Sequence, residues 1–135
     1  MSTVKVKAAL EIALNAMVPA LLTAWPNVPF TPPISSSTPW QRADVLFAAP
    51  EDLEIGSRYH REQGVFSVTL FYPLQTGAGS AQARAELLRS IFYRGASFTN
   101  SGVTVTIEQT PEISAGYADG DRWVVPVRIR FYANI

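Results

Sequence analysis

Residues 64–79 read GVFSVTLFYPLQTGAG and predict a β-strand, a loop and the start of a helix. Alternate residues of the strand form one apolar face: Phe66, Val68, Leu70 and Tyr72. This period of two is typical of a half-buried strand, and Pro73 marks its end. The loop holds Gly77 and Gly79 but lacks the Gly-Lys-Ser/Thr ending of a phosphate-binding loop and the third glycine of a dinucleotide fingerprint. The segment therefore predicts a strand–loop–helix connection that carries no phosphate-binding or dinucleotide-binding motif.

Two helices are predicted on either side of this strand. Apolar residues recur every three or four positions from Thr3 to about Thr23, and we expect a helix to about Val18 with one further helical turn to Ala24. Pro19 interrupts this pattern because it lacks a backbone N–H donor. The second helix is predicted over residues 80–93, with Gly95 ending it.

Four further segments have the character of strands or extended chain. Residues 44–49 are a short apolar run, and residues 98–109 predict a hairpin around Asn100-Ser101-Gly102. Residues 123–132 alternate most clearly, although Pro126 cannot donate to a ladder and predicts an edge position or a bulge. Residues 25–40 hold five prolines and predict an extended surface segment. Together these patterns predict one α+β domain over residues 1–135, with a mostly antiparallel four- to five-stranded sheet and two helices packed on one face.

The composition narrows the function classes. Eleven basic and eleven acidic residues give zero net charge, which disfavours a nucleic-acid-binding protein. The chain has no cysteine, so disulfides and thiolate metal sites are excluded. No apolar run approaches the roughly 20 residues needed to span a membrane, and we expect neither a membrane partner nor a signal peptide. A small neutral domain with few charges has little to keep it monomeric, which favours oligomerisation. The alternative explanation for its apolar composition is a large hydrophobic core.

Few residues point to catalysis or metal binding. His60 is the only histidine and is expected on the solvated surface. Asp119-Gly120-Asp121 lacks the further oxygens and the late glutamate of a calcium loop, so a hairpin loop is favoured. The acidic residues 51–54 have no partner fixed by spacing that would make an acid/base pair. We therefore predict no catalytic residue, no cofactor and no metal site.

Arg128 and Arg130 are predicted on the face of the last strand opposite the aliphatic core. Such a face is either solvated or paired with carboxylates of a neighbouring strand or subunit. Acidic residues within 44–54 provide a patch of opposite charge in the same chain. A head-to-tail ring needs two different, complementary surfaces on each subunit, and this pattern permits one.

The order of these features resembles the small tail-terminator and tail-completion proteins of long-tailed bacteriophages and prophages. The shared features are a first helix, a proline-rich extension, the strand ending at Tyr72-Pro73, the loop glycines, a second helix, and a final strand with Trp123 and Pro126. The resemblance extends from the first helix to the last strand. The shared positions are structural, and the family has no catalytic signature to compare.

The resemblance implies a non-enzymatic virion protein that forms a ring, expected to be a homo-hexamer, on the head-proximal end of the tail. The ring would stop polymerisation of the tail tube protein and offer a surface to the head–tail connector protein. Assembly would take place in the host cytoplasm. By position, the predicted subunit or partner contacts are Phe30, Trp40, Glu51, Asp52, Glu54, Gln75, Tyr117, Asp119, Arg128 and Arg130. The alternatives are another neck or minor tail component, such as a head–tail joining protein, and a small-molecule-binding domain using scattered polar residues such as His60, Tyr59 and Asp44.

Overall fold

Two helices and eight strands follow one another in the computed structural model, which describes residues 2–18, 21–32, 38–52, 55–56, 60–74 and 79–134. The helices are α1 (Ser2–Asn15) and α2 (Gly79–Ile91). The strands are β1 (Leu22–Ala24), β2 (Trp40–Phe47), β3 (Arg61–Pro73), β4 (Ser97–Asn100), β5 (Val103–Ile107), β6 (Glu112–Ile113), β7 (Tyr117–Asp119) and β8 (Arg122–Asn134).

The strands form one sheet in the order β1-β2-β3-β8-β5-β4, and β6 and β7 also pair with β8. The long strands β3 and β8 are antiparallel along their whole length, from Arg61 opposite Asn134 to Pro73 opposite Arg122. On its other side β8 pairs in turn with β7, β6 and β5. β1 runs parallel to β2. The predicted α+β class is confirmed, but the predicted sheet was too small and the sheet is mixed.

The prediction for the residues after α1 was wrong. The helix ends at Asn15, and Leu22–Ala24 is the strand β1 instead of a further helical turn. β1 forms because it pairs with the start of β2, where the Gln41 side-chain amide also donates a hydrogen bond of 3.0 Å to the Thr23 hydroxyl. Pairing with a residue far along the chain outweighs the local helical pattern. Pro19 lies outside the described residues.

The edge position predicted from Pro126 was also wrong, because β8 is a central strand. Pro126 lies opposite Thr69 of β3. On the other side of Pro126, β7 has ended and β6 pairs only with the next two residues of β8, Val127 and Arg128. The Pro126 carbonyl accepts a hydrogen bond of 3.0 Å from the Ser114 N–H. Proline is tolerated at this position because the N–H group that it lacks would point into the gap between β7 and β6.

Both helices cover one face of the sheet. α1 contacts β4 and β5, whereas α2 contacts β3 and β8. The core between the layers includes Leu10, Leu14, Leu88 and Phe92 from the helical side and Phe66, Val68, Leu70, Val127, Ile129 and Phe131 from the sheet. The predicted apolar face of residues 66–72 therefore points to the helices. On the opposite face, the described residues include a small buried cluster formed by Trp40, Phe71 and Val124.

Candidate functional site

An aromatic stack holds the proline-rich segment against the open face of the sheet. The rings of Trp40 and Phe71 are stacked, with centroids 4.0 Å apart and planes 5° apart. Phe30 packs on Trp40 with a centroid distance of 5.0 Å. The Arg42 guanidinium lies 5.8 Å from the Trp40 ring and 5.5 Å from the Phe71 ring. Trp40 is buried and Phe30 is half-buried, so these two predicted contact residues anchor the segment within the subunit.

Two shallow cavities flank the proline-rich segment: one of about 320 Å³ between α1 and residues 25–28, and one of about 310 Å³ beside this stack. The second is lined by Pro32, Trp40, Arg42, Phe71, Asp119, Asp121 and Arg122. The fold thus brings Asp119 to the same hollow as Trp40, although the two are far apart in sequence. The Arg122 side chain donates a short hydrogen bond to the Thr38 carbonyl, which fastens the turn between β7 and β8 to the proline-rich segment.

Arg128 and Arg130 are exposed on the face of β8 away from the helices, as the alternation predicted. Arg128 lies opposite Glu112 of β6 on one side and opposite Ser67 of β3 on the other. Within the described part of the chain, neither arginine forms a salt bridge with a carboxylate. Both charges are therefore available to a solvent ion or to another protein. Their predicted role as subunit contacts stays a prediction.

The connection between β2 and β3 forms an acidic and apolar surface. Glu51 and Asp52 are exposed, and the Glu51 backbone pairs with Arg61. Ile55 is fully exposed, and Leu46 is 62% exposed. Glu54 lies outside the described residues. Leu46 and Ile55 thus present aliphatic side chains to solvent beside the exposed carboxylates Glu51 and Asp52.

The strand directions place the predicted contact segments at two opposite ends of the sheet. The connection between β2 and β3 lies at the end marked by Phe47 and Arg61. The described part of the proline-rich segment, Leu74 and the β7–β8 turn lie at the other end, marked by Trp40 and Arg122. The eight residues of β2 separate the two ends by about 23 Å at 3.3 Å per residue. Gln75 lies outside the described residues.

Tyr117 and Asp119 are exposed on β7, at the end of the sheet that carries the proline-rich segment. Tyr117 lies opposite Val124, whose side chain belongs to the buried cluster on the open face. Asp119 lies opposite Arg122. The structure therefore groups Tyr117 and Asp119 with Phe30 and Trp40 and separates all four from Glu51 and Asp52.

A half-buried tyrosine, Tyr72, and a buried arginine, Arg84, lie on the helical side of that same end. Burial raises the pKa of the Tyr72 phenol above its ordinary value of 10.0, and the nearby charge of Arg84 partly offsets the rise. Burial likewise lowers the pKa of the Arg84 guanidinium, with Tyr72 acting in the opposite direction. Arg84 is only 5% exposed although it is a cation on α2. Arg84 of α2 therefore lies close to Tyr72 near the end of β3.

His60 contacts the carboxylate of Glu62. The His60 Nε2 lies 2.9 Å from a Glu62 carboxylate oxygen, with Glu62 almost buried. Among the residues that the structure describes, no group of three or more histidine, aspartate and glutamate side chains could hold a metal ion. Neither described helix is long and apolar enough to cross a membrane.

Sequence reasoning missed two features that bear on assembly. The first is the full exposure of Ile55, which the sequence could have indicated because this isoleucine lies between Glu54 and Gly56 in an acidic loop. The second feature is the short reach of β1, which pairs with Trp40, Gln41 and Arg42; among the described residues, no strand pairs with the rest of the outer edge of β2. No sequence signal predicts that edge, because β1 itself was expected to be helical.

Comparison with known proteins identifies the family. A sequence model of the family described as phage tail terminator protein matches residues 5–131. One similar solved structure, of a protein whose name states no function, is 27% identical with a TM-score of 0.79, and the match covers 100% of this chain and 96% of the other. None of the curated proteins matches the sequence. The predicted resemblance is confirmed: the chain belongs to the phage tail terminator protein family, and it is a structural protein of the phage tail.

Proposed function

We propose that this protein forms a ring, a homo-hexamer, on the head-proximal end of the completed tail tube. The ring stops further addition of the tail tube protein and gives the head–tail connector protein a surface to bind. The observation that carries this proposal is the match of residues 5–131 to the terminator family, which covers nearly the whole chain. The mechanism is binding and steric capping, and it requires no bond to be made or broken.

The separation of the two sheet ends supports a protein with two partners. One end carries Glu51, Asp52 and Ile55, and the other carries the proline-rich segment with Tyr117 and Asp119. A ring on the end of a tube contacts the tube with one surface and the connector with the other. Two different surfaces about 23 Å apart, fixed by rigid strands, suit that task.

The open face of the sheet supports subunit contacts around the ring. Arg128 and Arg130 are exposed and without a carboxylate partner in the described part of the subunit. Ring closure needs contacts between two different surfaces of identical subunits. Charged residues at the rim of such a contact orient the subunits more than they strengthen the contact.

The direct test is negative-stain microscopy of tail tubes polymerised with and without the purified protein. We expect tubes of uniform length with an additional ring of density at one end. Tubes that lengthen unchecked and carry no added density would contradict the proposal. Tubes that carry the ring but still lengthen would instead indicate another neck component.

A pair of charge-reversal variants separates the two sheet ends. Glu51→Lys with Asp52→Lys alters one end, and Asp119→Lys with Asp121→Lys alters the other. All four carboxylates are exposed, so both variants should fold like the parent protein. We expect one variant to lose tube capping and the other to cap tubes but fail to join heads. Equal loss of both activities in both variants would refute the assignment of one partner to each end.

A further inference from the structure

The described part of the proline-rich segment contacts both faces of the sheet. At its start, Trp25 packs against the core on the helical side. The turn from Trp25 to Val28 lies beside α1, and the cavity of about 320 Å³ is between them. Phe30, in contrast, packs on Trp40 on the open face. The chain therefore passes from one face of the sheet to the other between Val28 and Phe30.

This crossing lies at the outer border of the sheet. Two residue steps join Val28 to Phe30, and they span at most about 7 Å. So short a length leads around the nearest border of the sheet, where β1 is the outermost strand. The turn before the crossing places Asn27 at a φ of 54°, a left-handed conformation that asparagine adopts more readily than most residues. The segment therefore wraps around the outer side of β1.

The first two residues of β2 hold this wrapped segment from opposite faces. On the helical side, the Gln41 side chain donates a hydrogen bond of 3.0 Å to the Thr23 hydroxyl, which in turn donates one of 3.0 Å to the Leu21 carbonyl. On the open face, Phe30 packs on the Trp40 ring with a centroid distance of 5.0 Å. Gln41 is 1% exposed and Trp40 is 5% exposed, so packing fixes both side chains.

The pairing between β1 and β2 is short. β1 has three residues and runs parallel to β2, and parallel pairing is slightly less stable per residue than antiparallel pairing. Leu22 is 53% exposed, and the buried Gln41 side-chain oxygen has no hydrogen-bond donor, which lowers the stability of this contact. Short border elements of this kind open locally at a lower free energy than the core. The contacts that flank β1 therefore decide how often it separates from β2.

We propose that residues 25–32 form a clip around the outer border of the sheet, and that the packing of Phe30 on Trp40 keeps the clip closed. While Phe30 lies on Trp40, β1 is held against β2. When Phe30 leaves Trp40, β1 separates from β2, and the backbone of Gln41 becomes exposed together with the Trp40 ring. One local opening thus uncovers a strand edge and an aromatic surface. The inference concerns the single subunit and does not depend on the ring.

The backbone amide of Gln41 reports whether β1 is paired. The Ala48 N–H donates a hydrogen bond of 2.8 Å to the Gln63 carbonyl, so Ala48 faces β3. Because backbone groups alternate along β2 in an unbroken register, the Gln41 N–H faces away from β3 and toward β1. The Ile107 N–H is the reference for opening elsewhere, since it donates a hydrogen bond of 2.8 Å to the Ala96 carbonyl beyond β8.

Phe30→Ala tests the clip by hydrogen exchange followed with nuclear magnetic resonance. We expect exchange about fivefold faster at Gln41 and no comparable change at Ile107. Val28→Ala is the matched control, because Val28 belongs to the same segment, is 54% exposed and lies outside the aromatic stack. We expect it to leave exchange at Gln41 unchanged. Unchanged exchange at Gln41 in Phe30→Ala, equal acceleration at Ile107, or an equal effect of Val28→Ala would each overturn the inference.

A disulfide between β1 and β2 tests whether the faster exchange comes from separation of β1. Ala24 lies opposite Arg42, and the parent chain has no cysteine. Neighbouring strands lie about 4.8 Å apart, within the range of Cα distances that a disulfide spans. We combine Ala24→Cys and Arg42→Cys with Phe30→Ala and expect slow exchange at Gln41 in the oxidised protein and fast exchange in the reduced protein. Fast exchange in both would overturn the inference, and it would leave the proposed terminator function standing because no tail tube is present.

Discussion

Gly64 is the residue whose replacement tests most directly how β2 and β3 are held together. Gly64 lies opposite Phe47, and a Cβ added to it would overlap the Leu46 carbonyl oxygen and lie 3.0 Å from the Phe47 Cα. Both neighbours are backbone atoms, so the strands must separate by on the order of 1 Å. Such overpacking costs about 1–3 kcal/mol, and alanine recovers about 0.5–1 kcal/mol through its lower entropy in the unfolded chain. We expect Gly64→Ala to lower the free energy of unfolding by about 1–2 kcal/mol.

The assay is thermal unfolding followed by circular dichroism. For a chain of this size, each kcal/mol changes Tm by about 4 °C, so the expected fall is about 4–8 °C. Gly79→Ala is the matched control, because a Cβ at Gly79 meets no atom within 4 Å and Gly79 is the first residue of α2. We expect its Tm to stay the same or rise slightly. An unchanged Tm for Gly64→Ala would refute the close approach of the two strands.

Four further predictions follow from the packing and burial. Phe92→Ala should lower the free energy of unfolding by about 3–5 kcal/mol in urea titrations, because Phe92 is fully buried between helices and sheet. Phe30→Ala should cost about 1 kcal/mol and weaken the near-ultraviolet circular dichroism of the stack on Trp40, and an unchanged spectrum would contradict the packing of this segment. Ile55→Ser should leave Tm unchanged but reduce tube capping, because Ile55 is fully exposed. Because burial raises the pKa of Tyr72, its phenol contributes stability that is present below pH 10.0 and is lost as the pH rises above that value. Melting curves measured at several pH values should show this loss in the parent protein and not in Tyr72→Phe.

The longest elements of the fold were predictable because their patterns are local. Residues 64–72 and 123–132 alternate over enough positions to define β3 and β8, and the hairpin around Ser101 and Gly102 has the positive φ angles that its sequence requires. β1, β6 and β7 were not predictable, since each has only two or three residues and forms only because a longer strand lies beside it. The size of the sheet and its one parallel pair depend on those contacts.

The candidate surfaces were predictable only in part. The exposure of Arg128 and Arg130 followed from alternation along one strand. Trp40 and Asp119 share a cavity because β2, β3, β8 and β7 lie side by side, which no local pattern shows. The part of the β2 edge that β1 does not reach depends on where β1 stops, at Ala24 opposite Arg42. Family membership, by contrast, was predictable because the order of elements and their bounding prolines and glycines extend over nearly the whole chain.

The central position of β8 has a consequence for the timing of synthesis. β8 pairs with β3, β5, β6 and β7. Its residue Asn134 lies opposite Arg61 of β3, and these two residues are 73 positions apart in the chain. A nascent chain that has not reached residue 122 therefore lacks the strand that joins the two halves of the sheet. Contacts between such distant residues form late and slowly. The sheet therefore joins β2 and β3 to β4 and β5 only after β8 has been synthesised.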